Sequence, residues 1–311
     1  MKSNSGLTMN EYIRAYITFL KHKKKSSQNT IEAYIRDLSA FESYLNSRGI
    51  SDITSVEQED IIGFLMDMKK DDLSTATMNR RLASTRSFYK YMVENNHVIV
   101  NPATNLKAPK VVRGEIEYLT IDEIEELLSL PDDSAKGIRD RAILEVLYGT
   151  GILVSELVEL TMKDVNMRMG FITCNGQHGK ARIVPLGDFA KDALRNYLKN
   201  SRPVFVKDKD EDDDSVFFVN FMGNGFTRQG LWKIISSYGE KSSINKKLTL
   251  QIIRHSFAVH MIENGADLKT LQELLGHEDI SATQIYLQFR KNKIKEVYDR
   301  THPRAIFHNE N

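Results

Sequence analysis

A chain of 311 residues with 41% apolar content can bury two ordinary cores, so two domains are the default expectation. No apolar run approaches the roughly 20 residues of a membrane span, and the start, MKSNSGLTMNEY, lacks the apolar stretch of a signal peptide. Cys174 is the only cysteine, which excludes an intramolecular disulfide or a cysteine zinc cluster and favours a reducing, cytoplasmic setting; the formal net charge of +1 by itself says nothing about nucleic acid.

Residues 8 to 100 read as helices throughout. TMNEYIRAYITFLKHKKK carries apolar residues at helical spacing and ends in a basic cluster. SSQNTIEAYIRDLSAFESYLNSRG opens on polar cap residues and closes on Gly49, and VEQEDIIGFLMDMKK and STATMNRRLASTRSFYKYMVENN complete four helices. The last of them places Arg80, Arg81, Arg86 and Lys90 on or near one polar face. Residues 1 to 113 hold 17 Lys+Arg against 12 Asp+Glu, so this stretch is the basic one, and the basic helical face is a candidate for DNA backbone contact.

NPATNLKAPKVVRGE has two prolines, little apolar periodicity and several cations, and reads as a linker. The expected division is a helical domain over 1–100, a linker over 101–115 and a second domain over 116–311. That second domain opens at LTIDEIEELL, where Thr120 and Glu123 make a capping box. GIRDRAILEVLYGTGILVSELVEL reads as two core helices broken at Gly149–Gly151. The period then changes: GFITCNGQHGKARIVPLG alternates like two short strands around a Gly-rich turn. The acidic run DKDEDDD from 208 to 214 reads as a solvated loop, SVFFVN as another short strand, and TRQGLWKIISSYG as a helix. The chain is helical again through Gln288 and ends in the basic tail RKNKIKEVYDRTHPRA. The fold class is mainly α with a small β-hairpin.

Within RHSFAVHMIENGADLKTLQELLGHEDISATQIY stand Arg254, His277 and Tyr286. Each alone has an ordinary explanation: a buried arginine paired with an acid, a structural histidine, a core aromatic. Together they suit attack on a phosphodiester, with a cation for the phosphate oxygens, a second donor and a phenol nucleophile.

This segment resembles the C-terminal motif of the tyrosine recombinases, the phage-integrase family, and most nearly their Xer branch. LLGHEDISATQIY is similar to their LLGH…T-x-IY box, and RHSFAVHMIENGADLKTLQ to the arginine-bearing helix before it. The likeness continues in SSQNTIEAYIRDL, STATMNRRLASTRSFYKYM, the NPA…KAPK linker, LTIDEIEELL, RDRAILEVLYGTG, GKARIVPLG, TRQGLW and YDRTHPRA, in the family's order. The resemblance implies a C-shaped clamp of two domains, a helical core-binding (SAM-like) domain and an α+β catalytic domain, closing on double-stranded DNA. It implies a 3′-phosphotyrosyl link made by Tyr286, with no metal or nucleotide cofactor because the link conserves the bond energy, and no small-molecule substrate. It also implies an oligomer on DNA, by family analogy a tetrameric synapse of like or unlike chains, docked through the C-terminal tail.

Carried over position by position, the resemblance keeps Arg254, His277 and Tyr286 but finds three basic groups replaced. The arginine of the TG-x-R-x-SEL box is Leu153, the hairpin lysine is Gln177, and the His or Lys three residues before Arg254 is Gln251. Removing one transition-state donor costs roughly 100- to 1000-fold, and a general acid a comparable factor. Lys180, and with it His178, can substitute only if the hairpin turn is rearranged. Arg182 matches a hairpin arginine of structural or phosphate-contacting type. Thr227 and Arg228 match a DNA-contacting segment. The leading expectation is a DNA-binding family member with impaired strand transfer, occupying a recombination-type site or partnering an active relative. The alternatives are an active recombinase with an unorthodox site, and an interaction module without DNA affinity.

Overall fold

The computed structural model describes the whole chain except residues 1–7, 25, 110–114, 177–180, 208–211, 213, 290–297, 299–300, 303 and 305–311. The chain divides into two compact units, Met1–Gly114 and Glu115–Asn311.

Four helices build the first unit: α1 (Met9–His22), α2 (Gln28–Ser47), α3 (Gln58–Lys70) and α4 (Thr75–Glu94). In α1, Ile13, Tyr16, Ile17 and Leu20 fall at the i, i+3, i+4, i+7 spacing and are all buried. Thr8 and Glu11 cap the helix reciprocally. Phe41, Leu45, Ile61, Phe88 and Tyr89 close the centre of this core, and the Tyr89 hydroxyl donates to the Ile53 carbonyl at 3.0 Å. The stretch after α4 packs onto the same unit. Ala103 is fully buried, and Arg86 on α4 donates to the carbonyls of Ala103 (3.0 Å) and Leu106 (2.6 Å). Asn79 donates to the Pro109 carbonyl at 3.0 Å. The division at Gly114 thus falls inside the 101–115 segment, whose first part is a strap held by α4.

The second unit starts with α5 (Ile121–Ser129), α6 (Ala135–Thr150) and α7 (Val154–Glu159). The predicted capping box is present, with Thr120 N–H donating to Glu123 at 2.7 Å. The helix break lies at Gly151 rather than across Gly149–Gly151. Gly151 ends α6 in the left-handed region (φ +60°), and a Cβ there would lie 2.2 Å from the Phe257 ring. Only glycine fits both demands.

Strands β1 (Val165–Asn166), β2 (Phe171–Asn175) and β3 (Ala181–Pro185) form an antiparallel sheet in sequence order, with Ile172 opposite Val184 and Cys174 opposite Arg182. The expected hairpin is β2–β3; β1 is too short to have left a pattern. Next come α8 (Asp188–Asn196), a π turn over Tyr197–Ser201, and α9 (Arg202–Phe205). The expected strand at SVFFVN is not one. Its residues make only isolated bridges, Val216 with Thr161 and Val219 with Gly225. Phe217 and Phe218 are buried as plugs against Tyr197, so the apolar run reflects core filling rather than strand pairing. The unit ends with α10 (Arg228–Gly239), α11 (Leu250–Glu263), α12 (Leu268–Leu275) and α13 (Ser281–Gln284). Among the described residues no helix is long and apolar enough to cross a membrane, and no cluster of His, Cys, Asp and Glu suits a metal ion.

Candidate active site

Helix α11 is buried along most of its length, and Arg254 in its second turn is 5% exposed. A guanidinium has five donors and no acceptor, so burial demands acceptors around it. Arg254 donates to the carbonyl of Gly151, the carbonyl of Leu275 (2.6 Å) and Nε2 of His277 (3.2 Å). The turn after α6 and the end of α12 thereby become the two walls of one site. Burial draws the Arg254 pKa down to about 10, with the Glu156 carboxylate opposing the fall, so the group is still a cation at neutral pH.

The LLGH sequence has a direct local reading. Leu271 and Leu275 pack in the core, Gly276 ends α12 in the left-handed region (φ +67°), and His277 follows on the exit turn. A Cβ on Gly276 would lie 2.6 Å from Nη1 of Arg182, whose guanidinium passes over that turn. His277 Nδ1 sits 2.8 Å from the hydroxyl of Thr283, which is fully buried. Because Arg254 only donates, Nε2 of His277 must accept, and its proton resides on Nδ1 facing Thr283. Burial, then Arg254, pushes the His277 pKa down to about 4.

That shift has a sign. Above pH 6.5 the ring is neutral in both folded and unfolded chains. Between 6.5 and about 4 only the unfolded chain takes up the proton, so His277 makes folding less favourable as pH falls through this window. By NMR the His277 ring should titrate near pH 4 in the free protein and higher once a phosphodiester sits beside it. A midpoint near 6.5 in the free protein would show that its surroundings do not hold it neutral.

Tyr286 lies on the turn after α13 and is 2% exposed. Its hydroxyl is 3.0 Å from Nδ1 of His255, and Nε2 of His255 is 2.8 Å from the side-chain amide nitrogen of Gln251. Burial raises the Tyr286 pKa, with Arg254 opposing, and burial followed by Arg254 lowers that of His255. Leu153 caps the N-terminus of α7, its backbone N–H donating to Glu156 at 2.7 Å. Its side chain is 37% exposed and lines an open groove of about 1240 Å³ together with Arg182, Gly276 and His277. Leu153, Gln251, Arg254, His277 and Tyr286 are therefore brought to one region, while Gln177, Lys180 and His178 lie outside the described residues. Arg139 and Arg141 are committed elsewhere. Arg139 is ion-paired with Asp140 at 2.7 Å between the rings of Phe205 and Phe226, and Arg141 donates to the Pro131 carbonyl.

The groups expected to face DNA separate into exposed and committed ones. Thr227, the N-cap of α10, and Arg228 beside it are exposed, and Lys90 is exposed with Glu94 3.9 Å away. Arg80 is half-exposed and pairs at 2.5 Å with Asp37, which also lies 3.9 Å from Arg81. Asp37 is buried, and burial raises its carboxyl pKa. Arg86 is spent on the strap after α4, and Arg182 forms a two-pronged bridge with Glu156 while donating to Leu274 (2.8 Å). Sequence reasoning passed over Glu156, His255 and Thr283. The adjacency of Glu156 to Leu153 and of His255 to Arg254 were the available signals.

A helical N-terminal unit followed by an α/β unit that gathers an arginine, a histidine and a tyrosine at a groove defines the tyrosine-dependent recombinase class of architecture. The chain belongs to the phage integrase family: the family domain matches residues 117–293, and its N-terminal SAM-like domain matches residues 13–96. Tyrosine recombinase XerD of Listeria innocua is 44% identical over 299 residues, spanning 96% of this chain and all of the relative. XerD of Staphylococcus epidermidis is 41% identical over 301 residues with the same coverage. Among solved structures, XerH recombinase bound to a palindromic difH substrate aligns with TM-score 0.73 at 21% identity, covering 95% of this chain and 85% of that one. The Tn1549 transposon integrase in complex with transposon right end DNA gives 0.74 at 20% identity, covering 94% and 99%. At those identities the two structures establish the fold.

Proposed function

We propose that this protein binds duplex DNA at a site-specific recombination site and that its strand-transfer chemistry is slow. The observation that carries this reading is the composition of one cluster. Buried Arg254 and Tyr286 lie beside half-buried His277 at the groove, whereas a leucine lines the groove where the family supplies a second phosphate-binding arginine. The site keeps a nucleophile and one fixed cation, enough to seat a phosphate. It lacks the second arginine at Leu153 and the lysine at Gln177 that would stabilise the phosphorane and protonate the leaving 5′-oxygen. Lys180 is the nearest lysine in sequence that could substitute for that proton donor.

Thr227, Arg228, Lys90 and the half-exposed Arg80 are the phosphate contacts we assign, with base-edge contacts supplying sequence choice. The DNA-bound recombinase neighbours, among them a lambda integrase dimer on its core site, support an oligomer on DNA, and its docking through the C-terminal tail rests on the family resemblance alone. The alternative of an active enzyme with unorthodox helpers draws on one contact, the His255 nitrogen on the Tyr286 hydroxyl.

A mobility shift on duplex DNA should weaken steeply with salt, by about 1000-fold between 50 and 200 mM if roughly six phosphates are neutralised. On a nicked suicide duplex, a covalent adduct that Tyr286→Phe abolishes should form far more slowly than with an intact recombinase. An adduct at full family rates would overturn the proposal of slow chemistry, and salt-insensitive or absent binding would overturn the DNA reading.

A further inference from the structure

Gln251 stands where the family carries a histidine or lysine, yet it is not idle. It contacts Nε2 of His255 at 2.8 Å, and the opposite ring nitrogen, Nδ1, contacts the Tyr286 hydroxyl at 3.0 Å. The three side chains form a line, amide to imidazole to phenol, with the imidazole one residue along α11 from the phosphate-binding Arg254. We propose that His255 is the proton acceptor for the Tyr286 nucleophile and that Gln251 selects the imidazole tautomer that lets it act. The inference rests on the recombinase reading above.

The logic follows from which atoms can donate. With the amide nitrogen of Gln251 toward the ring, Nε2 accepts, the ring proton sits on Nδ1, and His255 donates to the Tyr286 oxygen. In that state the phenol cannot hand over its proton to the imidazole. A half-turn of the amide places its oxygen against Nε2, which then carries the ring proton and leaves Nδ1 as a lone pair facing the phenol. One contact therefore serves a resting and an active tautomer, which a lysine at this position could not do. A lysine there can only donate.

In the active tautomer the step balances. The Tyr286 O–H bond breaks and its proton moves to Nδ1. The phenol oxygen bonds to phosphorus, and the phosphorus–O5′ bond breaks. Solvent water supplies the proton that the leaving 5′-oxygen takes. Religation runs the same transfers backward, the phenol oxygen recovering its proton from His255. Burial supports the arrangement, because it keeps the imidazole neutral and able to accept. It also raises the cost of ionising the phenol without an acceptor, which makes Nδ1 the natural destination for the proton.

The test isolates nucleophile activation from leaving-group protonation. The full-length protein is given a nicked duplex carrying a site it has itself selected from a random pool, with a bridging 5′-sulfur at the scissile bond. The departing thiolate needs no proton, so the missing hairpin lysine does not matter. Wild type should form an adduct that Tyr286→Phe abolishes. His255→Asn, which keeps a polar partner near the Nδ1 position but cannot take up a proton, should slow the adduct by about 100-fold or more. Gln251→Leu should slow it less, and Gln251→Glu should hold or exceed the wild-type rate, because a carboxylate fixes the Nε2–H tautomer.

In parallel, the ¹⁵N signals of the His255 ring are read without DNA. They should move on Tyr286→Phe and shift toward the Nε2–H form in Gln251→Glu. Equal adduct rates for wild type and His255→Asn, or ring signals indifferent to both substitutions, would overturn the proposal. Failure of the wild type to select or bind any duplex would instead sink the recombination reading, leaving the ring signals to decide this one.

Discussion

Leu153→Arg combined with Gln177→Lys should raise the rate of covalent adduct formation on an ordinary nicked duplex by several orders of magnitude. The first change returns a guanidinium to the N-terminus of α7, where the present side chain is 37% exposed and borders the groove shared with His277. There is room for a longer side chain, and Glu156 three residues on supplies a negative neighbour. One transition-state donor of this kind is worth roughly 100- to 1000-fold, or about 2.7–4 kcal/mol. On the proposed reading the lysine supplies a proton donor for the 5′-oxygen, a comparable factor. Groups that act on one transition state are not additive, so the pair should exceed either single variant but fall short of the product. Adding Gln251→His should help least, because it breaks the contact that orients His255. The rate of Tyr286-dependent adduct on denaturing gels measures all of this. If the double variant binds DNA as wild type does and cleaves no faster, the lost chemistry does not reside at these two positions.

Much of this site was legible because spacing records geometry. Thr-Gly before Leu153 marks a helix end that only glycine can make beneath Phe257, and Gly-His after Leu275 marks the left-handed turn that Arg182 crosses. Tyr286 and Arg254 were readable from the same segment. What the sequence concealed were contacts made by elements far apart in the chain. Arg182 reads as a structural or phosphate-contacting hairpin arginine, but its partner Glu156 is named only when β3 places it there, and Arg86 looks like part of a basic face until residues 103–106 fold back on it. A cation's pattern does not reveal its partner. SVFFVN alternated poorly and was apolar because its phenylalanines fill a core around Tyr197, a tertiary demand that period-based reading assigns to a strand. The His255–Tyr286 contact spans 31 residues and has no periodicity to betray it.

Glu156→Leu should destabilise the second unit by about 3–5 kcal/mol, the loss expected when one member of a buried ion pair is removed. The Glu156 side chain is 6% exposed and that of Arg182 15%, so this is not a surface bridge of negligible worth. Burial lowers the Arg182 pKa and the Glu156 carboxylate more than offsets it, so the pair holds its charge. Without Glu156, the Arg182 guanidinium keeps the Leu274 carbonyl, and the Leu153 N–H loses its acceptor at the start of α7. The double variant Glu156→Leu with Arg182→Met removes both charges and should recover most of the loss, since apolar replacement of a whole buried pair is often neutral. Urea unfolding of the full chain, followed by its second-unit transition, measures both variants. A single-variant loss below about 1 kcal/mol would mean that the pair is solvated and behaves as a surface bridge.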